Sequence, residues 1–152
     1  MTPLFAFTVL GPPIPKGRPR VVKRGRFVHT YTPDRTVAFE DRVAVAAREA
    51  AGELIASGPI DRPLACAVRL YFPKPKRKAM HMDRRPDAEN VVKAIWDGME
   101  RGGVVKDDAR FVQLYTVKLY DVTPRVEVAV VDVGLHSERT VAALLMGWGD
   151  AA

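Results

Sequence analysis

Residues 86–99 read PDAENVVKAIWDGM, and the spacing of apolar residues in this stretch decides how the chain is layered. Asp87 is a helix-start residue, and Glu89 places an acidic side chain in the first turn, where the helix dipole favours negative charge. At about 100° per residue, Ala88, Val91, Val92, Ile95, Trp96 and Met99 share one arc. Glu89, Asn90, Lys93, Asp97, Glu100 and Arg101 share the opposite arc, with Asp87 at its edge. A helix with one apolar arc buries it against a second layer, so the flanking segments are expected to supply a sheet.

They carry the pattern of one. Upstream, Leu64, Cys66, Val68, Leu70 and Phe72 alternate on one face of a strand closed by Pro73 and Pro75. Downstream, strands are predicted over 111–120 and 126–133, joined by a turn at Thr123 and Pro124 and expected to pair as a hairpin. Near the N-terminus, residues 4–10 read as a first strand, and residues 21–28 form a basic hairpin with Arg24, Gly25 and Arg26 at its tip. Thr32 is expected to cap, and Pro33 to open, an alanine-rich helix running to about Ile55. Ser137 caps a short last helix through Met146, and the tail from Gly147 is expected to be loosely held. The resulting class is α+β, a single mixed β-sheet packed with helices.

The 152 residues, 47% hydrophobic, suffice for one domain with a real core. A formal charge of +6 favours a polyanionic partner, and its distribution sharpens that expectation. Half of the 24 lysines and arginines lie in two short runs: Lys16, Arg18, Arg20, Lys23, Arg24 and Arg26, then Lys74, Lys76, Arg77, Lys78, Arg84 and Arg85. Clusters of this density suit phosphate contact better than a charge spread for solubility. The single cysteine, Cys66, excludes an intrachain disulfide and reads as a small core residue. His29, His81 and His136 have no zinc-site spacing. No signal-peptide pattern and no membrane-length apolar run is present, so a soluble, cytoplasmic protein is expected.

After the 86–99 helix, Gly102 and Gly103 let the chain turn back and bring Asp107 and Asp108 toward the helix start. Gathered carboxylates repel one another, and a hard divalent cation with oxygen ligands relieves the repulsion. Lys93, one turn beyond Glu89, would lend a positive charge to a phosphate transition state. The plainer alternative makes Asp87 an N-cap, Glu89 with Lys93 a surface i,i+4 pair, and Asp107 with Asp108 a turn. Patterning alone leaves the two readings level.

The run DAENVVK, then DGM, then VVKDD, between Pro86 and Phe111, resembles the RusA-type Holliday junction resolvases. Upstream, PKGRPR at 15–20 and TYTP at 30–33 resemble the basic loop and first-helix entry of many members. The resemblance implies an RusA-like endonuclease domain over residues 1–135, followed by a C-terminal extension over 136–152. It implies catalytic residues Asp87, Glu89, Lys93 and Asp108, metal held by Asp87, Glu89 and Asp108 with Asp107 as a further candidate, and magnesium as cofactor with manganese able to substitute. It also implies a homodimer nicking a four-way DNA junction in recombination and repair, and the basic runs read above are then the expected DNA contacts: Lys16, Arg18, Arg20, Lys23, Arg24, Arg26, Lys74, Lys76 and Arg77. One departure stands out: Glu89 occupies a position where the family's well-known pattern has aspartate. Two other readings remain, a junction-binding or DNA-binding protein without cleavage, and an RNA-binding domain using basic loops and aromatics such as Phe27 and Tyr31.

Overall fold

The computed structural model describes residues 2–148. Its elements run β1 (Phe5–Leu10), β2 (Arg20–Arg24), β3 (Phe27–Tyr31), α1 (Asp34–Ala51), β4 (Leu64–Pro73), α2 (Ala88–Arg101), β5 (Phe111–Asp121), β6 (Arg125–Asp132) and α3 (Glu138–Gly147). The main sheet has the order β1-β6-β4-β5, with β4 parallel to β5 and antiparallel to β6, and β6 antiparallel to β1. The expected mixed sheet with packed helices is therefore present, and β2 and β3 form a separate two-stranded ribbon.

The expected β5–β6 hairpin does not form. The Thr123–Pro124 region does reverse the chain, but β4 lies between the two strands: Cys66 pairs with Leu114 on one side and with Val130 on the other. Burial gives the reason. Leu64, Cys66, Val68, Leu70 and Phe72 join the core under α1 and α2, while Ala65 and Ala67 face the cluster formed with Val141 and Leu145 of α3. A strand apolar on both faces belongs in the middle of a sheet, where both of its backbone edges are also satisfied.

Two boundaries differ from expectation. The cap position of α1 is held by Pro33 rather than Thr32, with no side-chain capping bond, and the helix ends at Ala51 because Gly52 turns the chain at φ 49° into a 3-10 turn, Gly52–Ile55. Ser137 does cap α3, accepting the Thr140 N–H at 3.3 Å. Gly147 ends that helix and Trp148 packs against the α3 cluster, so the tail is held at least to Trp148. The expectation of a loose tail beyond it falls on residues 149–152, outside the described residues.

The crossing of α1 and α2 positions the site. Gly98 has no room for a Cβ, which would stand 2.8 Å from the Glu40 carbonyl oxygen and 2.8 Å from Val43 Cβ. One turn on, a Cβ at Gly102 would stand 3.1 Å from Ala44 Cβ. Small residues at i and i+4 let two backbones approach closely, and the approach brings Glu40 of α1 beside the polar face of α2.

Candidate active site and nucleic-acid interface

Asp87 occupies the N-cap position of α2, yet its side chain makes no capping hydrogen bond. Glu89 does not pair with Lys93 either. Lys93 Nζ instead bonds the Asp108 carboxylate and lies 3.3 Å from Asp97 Oδ1. Of the plainer reading, the N-cap holds for Asp87 by position but without a side-chain bond, the Glu89–Lys93 pair is absent, and the turn holds for Asp107: its carboxylate accepts the Ala109 N–H at 2.9 Å, capping the 3-10 turn Asp108–Arg110. Asp87 and Glu89 present exposed carboxylates with no hydrogen bond or ion pair among the described residues.

The return of the chain toward α2 has a physical cause. Trp96 stacks on Phe111 at the start of β5, ring centroids 4.8 Å apart and 10° from parallel. The loop before it is tied down by the Lys106 N–H on the Ile60 carbonyl at 3.0 Å, and by Lys106 and Arg110 on Asp61 at 2.8 and 2.6 Å. These anchors carry Asp108 to Lys93. The Asp108 bond holds the Lys93 pKa above its ordinary value, with Asp97 adding to it against the effect of burial, so Lys93 is an ammonium at neutral pH.

Sequence reasoning missed the network behind Lys93. Asp97 also binds Lys16 at 2.7 Å; Lys16 reaches Glu40 at 2.7 Å; and Arg101 clamps Glu40 at 2.9 Å and Asp41 at 2.8 Å. Glu40 is only 3% exposed, a burial tolerated because two cations share its charge. Burial opposes the Lys16 charge, but bonds from Asp97 and Glu40 outweigh it and its pKa is raised. No local pattern marks Glu40 inside an alanine-rich helix.

The basic run at 15–20 is docked rather than loose. The Lys16 N–H donates to the Asn90 carbonyl at 2.8 Å, the Gly17 N–H donates to Thr36 Oγ1 at 3.0 Å, and a Cβ on Gly17 would stand 2.7 Å from Pro33 Cγ. Beside it opens a groove of about 850 Å³ whose lining includes Lys16, Arg18, Arg35 and Arg85 together with Asp87 and Asn90. Arg35 is a further residue that patterning missed, since an isolated arginine in a helix's first turn carries no signal. Glu89, Lys93 and Asp108 lie outside this groove's lining. Of the other predicted DNA contacts, Arg20, Lys23, Arg24 and Arg26 are exposed on the β2–β3 ribbon, as are Lys74 and Lys76 beyond β4. Arg77 is bound to Asp83 at 2.9 Å. Cys66 is fully buried, which pushes its thiol up to about 12 and leaves it unreactive.

Against a divalent cation, the donor chemistry fits: Asp87, Glu89 and Asp108 offer hard carboxylate oxygens, and two of the three are unpartnered. The third is on Lys93, and among the described residues no three His, Cys, Asp or Glu side chains are gathered around one point.

The family model described as endodeoxyribonuclease RusA matches residues 11–131. The chain belongs to this family of DNA endonucleases. It is 32% identical over 140 residues to the uncharacterized protein YqaN of Bacillus subtilis, covering 84% of this chain and 95% of that one. It is also 27% identical over 106 residues to the crossover junction endodeoxyribonuclease RusA of Aquifex aeolicus, covering 70% and 73% respectively. The matched segment takes in β1's exit, both basic runs and every candidate catalytic residue, and ends before α3. No helix among the described residues is long and apolar enough to cross a membrane.

Proposed function

We propose that the protein is a magnesium-dependent endonuclease that resolves Holliday junctions or related branched DNA by paired nicks, as a cytoplasmic homodimer acting in recombination and repair. The observation that carries this reading is the pair of unpartnered carboxylates, Asp87 and Glu89, at the start of α2, the first of them in a groove lined by Arg18, Arg35 and Arg85. A groove that carries three arginines and one carboxylate in its lining suits a phosphodiester backbone drawn against an acidic centre. In this reading Asp87, Glu89 and Asp108 would hold the cation, and the chemistry it would supply there is Lewis-acid polarisation of a phosphate and a lowered pKa for water. Lys93 holds Asp108 and places its ammonium where phosphate charge develops. Asp97 and Lys16 orient Lys93 from behind, so Lys16 serves DNA indirectly. A twofold junction is matched by a twofold dimer with one such centre per subunit.

The deciding experiment is cleavage of a labelled four-way junction and a matched linear duplex, with magnesium and with EDTA. Symmetric nicks on the junction alone, and only with magnesium, are expected. Tight binding without cleavage would favour the junction-binding reading, which draws on Asp108 being held by Lys93 and on Glu89 at an aspartate position. The groove makes its own prediction. Arg18→Ala with Arg35→Ala weakens junction binding and makes the log–log salt dependence shallower by about one unit for each phosphate no longer neutralised. An unchanged slope in filter-binding titrations would remove the groove from the DNA path.

A further inference from the structure

Among the described residues the β2–β3 ribbon is a two-stranded sheet of its own, separate from the main sheet. Its register pairs Arg20 with Tyr31, Val22 with His29 and Arg24 with Phe27, and directly opposed residues project to the same side, alternate pairs sharing a face. One face therefore carries a column of three aromatic rings, Phe27, His29 and Tyr31, beside Arg20, Val22 and Arg24. Phe27 is 72% exposed and Tyr31 44%. Aromatic residues in a strand usually point into a core; here the core lies elsewhere.

We propose that this face is a base-stacking surface for unpaired nucleotides of branched DNA. Charge selects the polymer: Arg20, Lys23, Arg24 and Arg26 lie on the ribbon, and no Asp or Glu occurs between Gly17 and Pro33. A second copy of the same ribbon is a poor occupant, because like charges would meet face to face. The rings select what part of the polymer is touched. Phosphates need only the cations, whereas solvent-exposed rings between arginines gain from flat partners, and the bases of a closed duplex are covered by their own stacking. A branch point is where bases become available, so the ribbon would recognise the structure of the DNA while the groove at Asp87 holds its backbone. The inference rests on the nuclease reading for the identity of the polymer, not for the stacking itself.

The test uses the full chain in EDTA, with 2-aminopurine placed at the crossover of a synthetic four-way junction. Wild type is expected to change the probe's emission on binding. Phe27→Ala with Tyr31→Ala should abolish that change and lower junction affinity by about tenfold or more, leaving duplex affinity within about twofold. Phe27→Trp should preserve both. Equal losses on junction and duplex, dissociation of a dimer in sedimentation of the Ala variants, or stronger displacement by structured RNA than by junction DNA would each overturn the proposal. Because no step requires cleavage, an emission response in a protein that never cuts would sink the nuclease reading and leave the stacking surface standing.

Discussion

Asp108→Asn is expected to lower junction cleavage by about a thousandfold while leaving junction affinity unchanged or slightly raised. In the proposed centre Asp108 would be one of three carboxylates on the cation, so its loss would remove several kcal/mol of transition-state stabilisation, and each ~1.4 kcal/mol is a factor of ten in rate. Binding goes the other way, since a negative charge near the incoming phosphate disappears. Folding is not the cause of the loss. Asp108 is 35% exposed and its partner Lys93 48%, and an ion pair so open to water contributes at most about 1 kcal/mol to stability. The amide also keeps an oxygen for the Lys93 ammonium. Single-turnover cleavage, a binding titration in EDTA and a thermal melt separate the three effects. Cleavage within about tenfold of wild type would take Asp108 out of the catalytic centre and leave it as a tether for Lys93.

The comparison with Lys93→Ala is informative because the two side chains meet. If both act at the same step, the double variant should be scarcely slower than the worse single one, since groups that act as a unit are strongly non-additive. Asp97 then remains with Lys16 alone, and the network behind it through Glu40 to Arg101 is untouched.

Periodicity makes the elements of this fold legible, but not their order in the sheet. The alternation in 64–72 identifies β4 and its core face, yet alanines at 65 and 67 are silent about whether that second face meets solvent or a helix. α3 covers it, and this double burial is what separates β5 from β6. A turn such as Thr123–Pro124 reports that the chain reverses, not which strand it returns beside. The candidate site follows the same rule. Asp87, Glu89 and Lys93 lie within two turns of one helix, so a wheel brings them together. The Lys16–Glu40–Asp97 group joins three distant segments, and only the α1–α2 crossing makes it. The helical wheel for α2 also omits Ala94 and Gly98 from its buried arc, although both are buried, because that side of the helix meets α1 rather than the sheet.

That crossing carries the largest stability effect expected of a single substitution. Gly98→Val should cost about 3 kcal/mol, lowering Tm by roughly 6–12 °C for a chain of this size. The first β-carbon already falls 2.8 Å from the Glu40 carbonyl oxygen, which belongs to a helix backbone and does not swing aside, and 2.8 Å from Val43 Cβ. Gly98→Ala should cost less, because alanine regains about 1 kcal/mol of helix propensity against the same contact. A graded series, with valine worse than alanine and alanine worse than glycine, distinguishes a steric limit from a conformational one. If positive φ were what required glycine here, both variants would suffer alike; Gly98 is not among the positive-φ glycines. Forcing α2 away from α1 also draws Asp97 from Lys16 and Glu40 from Arg101, so the valine variant should lose cleavage at temperatures where it is still folded. A valine variant that melts with wild type and cuts at its rate would mean that the helices slide apart freely, and that the buried Glu40 network does not depend on their close approach.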